Sequence, residues 1–353
     1  MFAKQTLDCT EPTMQPDTGA SIGAGLREPS VTSASSPPKG LAGLARPLAI
    51  GAIIAVGAYA VLAMLSDGEA VLTAVSAIPG SLVGLALLAS TGNFVLRGLR
   101  WDHYLRALDV KVPWVDRWLV FLAGFSMSLT PGKVGELLKP GLLHDRYGTS
   151  VPAVSSVVVA ERITDLLGVA FLLGVGALAD SSVALVAGIV WLGVGAALAV
   201  MLSPALGKLV VRIVRRLPKG DKLGDVVEGL LNTLRALSKP AVMVPALGLS
   251  VAAWGLQCVS LWLVAMGVQG CELNLLESIL AYVGPLLAGA AALVPGGVGV
   301  AEATMAGLVA RLGDVPLTDG SAITAIVRGL TLWWAVLVGV LALGAYFLRK
   351  PRA

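Results

Sequence analysis

Pro131-Gly132-Lys133-Val134-Gly135-Glu136 interrupts an apolar segment that should have continued, and Pro295-Gly296-Gly297-Val298-Gly299-Val300-Ala301-Glu302 repeats the interruption about 160 residues later. Each break follows an apolar run too short to cross a bilayer comfortably, and each gives way to apolar sequence again after a carboxylate. Inside hydrocarbon a Pro-Gly break strips backbone N–H and C=O groups of partners, so it survives only where protein or a water-filled cavity covers it. Two broken segments in corresponding halves of a chain point to a transporter's binding site. The breaks therefore predict a polytopic helical membrane protein built around a polar interior.

Composition supports that class. The 353 residues are 56% hydrophobic and 14% charged, against about 25% charged in a soluble domain, and the mean hydropathy is +0.83. Cys9, Cys258 and Cys271 have no paired spacing, which suggests neither a disulfide framework nor a zinc site. His103 and His144 stand alone and read as interfacial residues, so neither a metal nor another cofactor is expected. No nucleic-acid motif and no ATP-binding loop occurs.

Taken in order, residues 1–46 are rich in Ser, Pro, Gly and Thr without apolar periodicity, and read as a disordered tail. A bilayer core needs about 20 apolar residues, and spans are expected at 48–65, 81–96, 151–179, 182–202, 241–266 and 322–348. Residues 115–150 and 275–313 read as re-entrant hairpins around the two breaks. Residues 97–117 are expected as a loop, and 207–240 as an amphipathic surface segment with a linker. The single membrane domain thus covers 47–348, with halves 47–179 and 183–348, and 349–353 form a basic end.

Basic residues orient it. Lys and Arg number four in 1–46, five in 97–117, three in 131–150, eight in 207–240 and three in 349–353, whereas the loops on the other side carry only Arg311. By the positive-inside rule both termini are cytoplasmic, in a cell (inner) membrane. The hairpins then enter from opposite faces, as an inverted-topology repeat requires. The expectation is all-α, with six full spans, two re-entrant hairpins and an inverted repeat; eight full spans is the alternative.

Few ionisable residues lie at membrane depth: Glu136, Lys139, Glu161, Arg162, Asp165, Glu302 and Arg328. Each costs roughly 2.5–3.5 kcal/mol at a helix centre, so they should face an interior and pair. Glu161 and Asp165 share a helical face. A guanidinium stays charged and binds phosphate bidentately, which makes Arg162 and Arg328 candidates for an anionic head group. Arg97 and Arg100 are candidates for a first lipid contact, or with Trp101 an interfacial anchor. Glu136, Glu161, Asp165 and Glu302 would neutralise the arginines or exchange protons; structural ion pairing is the competing account. Pro131, Gly132, Gly135, Pro295, Gly296, Gly297 and Gly299 form the helix breaks, whose N–H groups also favour anions. Lys139 and Arg146 read as cytoplasmic anchors.

Four motifs in order, Arg97-x-x-Arg100-Trp101, Pro131-Gly132-Lys133-x-Gly135-Glu136, Glu161-Arg162-x-x-Asp165 and Pro295-Gly296-Gly297-x-Gly299-x-x-Glu302, resemble the lysylphosphatidylglycerol synthase transmembrane family, also called UPF0104 or flippase-like. The resemblance covers 48–348. It implies movement of an anionic or glycosylated lipid, polyprenyl-linked lipids included, between leaflets. Family members that aminoacylate phosphatidylglycerol carry a further cytosolic catalytic domain. This chain stops at Ala353, so a non-enzymatic role is expected. Two readings compete with transport: an accessory subunit serving a lipid-modifying enzyme partner, and an enzyme acting on lipid phosphates, which would need a nucleophile or metal cluster.

Overall fold

A computed structural model describes residues 68–128, 136, 138–178, 180, 183–216, 220–292 and 297–349. The expected tail, the expected span 48–65 and the glycines of the first break lie outside the described residues. Every regular element described is helical. Helix α1 (Gly68–Ala77) leads into α2 (Gly80–Ala107), and α3 (Trp114–Ala123) continues as a 3₁₀ turn, Gly124–Met127. Beyond the first break come α4 (Leu138–Tyr147) and α5 (Val151–Gly176). Then follow α6 (Ala184–Leu202), α7 (Pro204–Arg215), α8 (Gly220–Leu237) and α9 (Pro240–Ala265). Helices α10 (Leu275–Ala291) and α11 (Val300–Leu312) flank the second break. Helix α12 (Leu317–Arg328) passes through a π turn, Gly329–Trp333, into α13 (Trp334–Leu348).

Three of these are long and apolar enough to cross a membrane: α2, α9 and the continuous α12–α13 segment of 32 residues. The α6–α7 pair, bent by 90°, makes a fourth if counted as one span. Side chains such as Leu185, Ile189 and Leu192 on α6 point outward, where only lipid welcomes so much apolar surface. Helix α5 has the length but carries Glu161, Arg162 and Asp165 in its middle. The chain is an all-α polytopic membrane protein.

Two runs of elements share one order. A long helix (α2, α9) is followed by a helix, a break and a helix (α3–α4, α10–α11), and then by a second long helix (α5, α12–α13). The first long helices of the two runs pack on each other along their length. Each run's first hairpin helix lies against the other run's closing helix: α3 against α13, and α10 against α5. Backbones meet closely there. A Cβ at Gly339 on α13 would overlap the Ser126 backbone, and one at Gly176 on α5 would stand 3.1 Å from the Leu280 amide nitrogen on α10.

Two expectations need correction. Helix α2 does not stop at Arg97; it runs through Arg100, Asp102 and Arg106 to Ala107. The expected loop 97–117 is therefore mostly helix, because its charges find partners. Asp102 holds Arg117 at 2.5 Å and also pairs with Arg106. Lys139 is not an anchor at the water boundary but is 2% exposed, its ammonium 2.7 Å from Glu161 and 3.4 Å from Glu136.

Candidate functional site

Charge density peaks where α2, α5 and α9 meet. Asp165 on α5 accepts from Arg100 Nη1 at 2.6 Å and from Trp254 Nε1 at 3.0 Å. Arg162 Nη2 approaches its other oxygen at 3.0 Å, and Arg97 Nη2 stands 3.8 Å from that same oxygen. Arg100 is fully buried and also donates to Ser250 Oγ at 2.8 Å. Arg162 turns its guanidinium to Glu136 at 3.2 Å, the carboxylate just past the first break. With Lys139 and Glu161, four cations face three carboxylates in one buried network among the described residues. One positive charge is left over.

That surplus falls on Arg97. Arg100, Arg162 and Lys139 each lie within 3.2 Å of a carboxylate, whereas among the described residues Arg97 keeps only the 3.8 Å approach to Asp165. Its guanidinium instead stacks 5.0 Å from the Phe125 ring and 5.7 Å from that of Trp254. Such stacking favours the cation more weakly than a carboxylate would, so Arg97 is the least compensated of the four cations.

The second break has its own charge pair. Gly297 and Gly299 adopt φ of 70° and 89°, a left-handed conformation in which a side chain is strained. Gly297 also passes so near α10 that a Cβ on Gly289 would lie 3.0 Å from its Cα. The turn is held by Glu302: one oxygen accepts from Gly299 N at 2.6 Å, the other from Arg328 Nε at 2.6 Å. Glu302 is 1% exposed and Arg328 8%. Glu136 precedes Arg162 by the same 26 residues that separate Glu302 from Arg328. In both runs, then, the acid that follows the break grips an arginine on the next long helix.

Between the two networks lies a cavity of about 90 Å³, lined by Arg97, Arg328, Asn93, Gln257, Trp254 and Tyr282 among others. Phe94 and Trp254, and likewise Arg97 and Gln257, occupy corresponding positions of α2 and α9, so both runs furnish the wall. Of the four arginines singled out in the sequence, Arg97 and Arg328 face this cavity; Arg100 and Arg162 do not line it but are clamped by Asp165 and Glu136. Glu161 pairs with Lys139 and is not among the residues of the wall. Pro131, Gly132, Gly135, Pro295 and Gly296 lie outside the described residues. Among the described residues no three His, Cys, Asp or Glu side chains are grouped to hold a metal ion.

Sequence reasoning took Lys139 for a cytoplasmic anchor and passed over Asn93 and Gln257. Lys139 sits three residues after Glu136, a spacing that brings side chains together on a helix, and this was a readable sign. Asn93 and Gln257 carried no such sign, because an uncharged amide in an apolar helix reveals its role only when its neighbours are known. Asn93 donates to Ala253 O at 2.8 Å and Gln257 accepts from Ser90 at 3.2 Å, joining α2 to α9.

Comparison with known proteins agrees with this architecture. The family model described as "Lysylphosphatidylglycerol synthase TM region" matches residues 48–339. A "UPF0104 membrane protein" of Methanothermobacter thermautotrophicus (strain Delta H) is 27% identical over 292 residues, covering 75% of this chain and 82% of the relative. The match spans both breaks and both acid–arginine pairs, and the chain belongs to the lysylphosphatidylglycerol synthase transmembrane-region family.

Proposed function

We propose that this protein is a flippase-like transporter that moves an anionic or glycosylated lipid between leaflets, its head group taken by Arg97 and Arg328. The observation that carries the reading is the pair of cavity-facing guanidinium groups, one from each run of elements, of which Arg97 has no carboxylate nearer than 3.8 Å among the described residues. A phosphate entering there would supply the missing negative charge and accept bidentate hydrogen bonds. Asn93, Gln257 and the aromatic walls suit the hydroxylated part of a head group, amides meeting hydroxyls and ring faces meeting C–H surfaces. Arg100 and Arg162 act as positioning residues, holding α2 against α5 and the first break against α5. Glu136, Glu161, Asp165 and Glu302 neutralise the arginines of the empty site.

On this reading the two runs form halves inserted in opposite senses. Their hairpins re-enter the bilayer from opposite faces, and the distribution of basic segments supports cytoplasmic termini in a cell-membrane protein. The role is transport rather than catalysis. A cavity of about 90 Å³ is well below the roughly 300–1,000 Å³ of a ligand pocket, so a head group enters only after the helices part.

Reconstitution into vesicles with fluorescent anionic and polyprenyl-phosphate lipids tests the proposal. Wild type should accelerate transfer between leaflets, and Arg97→Ala and Arg328→Ala should each abolish most of it; equal rates for wild type and both variants would reject it. A second reading, an accessory subunit steadying a lipid-modifying enzyme, draws on the fully buried Arg100–Asp165 and Lys139–Glu161 pairs, which serve rigidity. It predicts silent transport assays and loss of the partner enzyme when the chain is deleted.

A further inference from the structure

We infer that Arg146 and Arg311 are paired latches that shut the cavity toward opposite faces, and that the Arg311 side releases first. This rests on the transport reading for its purpose, though not for its geometry.

The two arginines hold corresponding places. Arg146 lies in the last turn of α4 and Arg311 in the last turn of α11, each the second helix of a broken hairpin. Each reaches across to the end of the other run's closing helix. Arg146 Nη2 donates to Tyr346 O at 2.6 Å, two residues before α13 ends. Arg311 Nη2 donates to Asp180 Oδ2 at 2.7 Å, four residues beyond the end of α5. The contacts stand at opposite ends of the molecule: Arg146 is near the start of α5 and Asp180 past its finish, with 26 helical residues between, or about 39 Å at 1.5 Å per residue. Because each joins a hairpin of one run to the closing helix of the other, neither run can swing against its counterpart without parting one of them.

Their strengths differ greatly. Arg146 is 12% exposed in its side chain, stacks 3.7 Å from the Tyr346 ring centroid and lies 3.4 Å from Asp116, which Arg349 approaches at 3.6 Å. Tyr346 Oη returns a hydrogen bond to Leu142 O at 2.7 Å, fastening α13 to α4 a second time. The Arg311 side chain is 54% exposed and that of Asp180 17%. Water and salt reach such a pair from the arginine's side and weaken it, whereas a buried network resists parting. Of the two, the cheaper rupture is therefore at Arg311 and Asp180.

The test uses the full chain with Cys9 and Cys271 replaced by Ser and Cys258 by Ala. A single reporter, Ser128→Cys on the cavity wall, is labelled by a membrane-impermeant maleimide in right-side-out and in inside-out vesicles. Unaltered latches should give slow labelling from both faces, faster from the Arg311 face. Asp180→Asn or Arg311→Ala should raise the rate several-fold from that face alone, and Arg146→Ala several-fold from the opposite face alone. Should Arg146→Ala fail to fold, Arg146→Lys, which keeps the charge near Asp116 but loses the stacking and the reach to Tyr346 O, must show the same sidedness. Enhancement from one shared face, from both faces at once, or from neither overturns the inference. Labelling involves no lipid transfer, so reciprocal labelling without flipping would refute transport and leave the latches standing. Flipping with non-reciprocal labelling would do the reverse.

Discussion

Removing the carboxylate of Glu302 should damage the protein far more than any surface ion pair would lead one to expect, and restoring charge balance should repair part of the damage. Glu302 accepts from Gly299 N and from Arg328 Nε, both at 2.6 Å, in a pocket where it is 1% exposed. Glu302→Ala leaves a buried guanidinium without its carboxylate, a loss of about 3–5 kcal/mol. It also takes the acceptor from the Gly299 amide, adding about 1–3 kcal/mol if that group stays dry. Arg328→Ala alone strands the carboxylate at similar cost. The double variant strands neither charge, so its loss should fall short of the sum by about 2 kcal/mol or more, a coupling at the high end for groups in direct contact. Equilibrium unfolding in mixed micelles, followed by circular dichroism, gives the four free energies of the cycle. Arg215 with Asp225, 2.9 Å apart with side chains 44% and 73% exposed, is the control and should couple by about 0.2–1 kcal/mol. Equal coupling in the two cycles would mean that water reaches Glu302 and that the break is not held as described.

Three further outcomes follow from the same contacts. Arg97→Ala should cut lipid transfer at least about tenfold, as loss of one charge-assisted contact of about 1.5–3 kcal/mol requires, while Arg106→Ala, whose side chain is 66% exposed, should leave it unchanged; parity of the two variants counts against the site. Gly339→Ala should lower stability by about 1–3 kcal/mol through overpacking, since its Cβ would press on the Ser126 backbone where α13 crosses the 3₁₀ turn; an unchanged unfolding midpoint would show that this crossing is loose. Burial, with Asp319 and Glu277 nearby, pushes the Cys271 thiol above its ordinary range. The thiolate is the reactive form, so maleimide labelling of Cys271 should be slow near neutrality and rise with pH well beyond the point at which a free thiol levels off. Labelling at the rate of glutathione at pH 7 would contradict that burial.

Much of this was legible in the order of residues. The apolar content, the two Pro-Gly interruptions and the carboxylate after each led to a helical membrane protein with two broken hairpins, and the rule that buried charges must pair led to Glu302 and Arg328 facing inward. The extent of α2 was not legible. Arg97, Arg100, Asp102 and Arg106 look like a water-facing loop until α5 and α9 supply Asp165 and Ser250 as partners of the first two and Asp102 is seen to pair with Arg106 and Arg117. The same holds for Lys139, an anchor by composition and a buried partner of Glu161 by geometry. Which arginines face the cavity was likewise beyond the sequence, because it depends on who neutralises whom. Asp165 claims Arg100 and Arg162 closely, and this is what leaves Arg97 under-compensated. The matched interval from Glu136 to Arg162 and from Glu302 to Arg328, by contrast, was there to be counted.

The π turn at Gly329–Trp333 lies immediately after Arg328 and includes Thr331 and Leu332, both on the cavity wall. Such a turn accommodates one residue more than the α-helical ladder around it and often marks a functional position. If that extra residue were absorbed, the two sides of the turn would rotate against each other by about 100°, the angular step of one helical residue. Arg328 could thereby be wheeled away from Glu302 and out of the chamber while α13 stayed seated on the first hairpin. The helix itself would act as the axle.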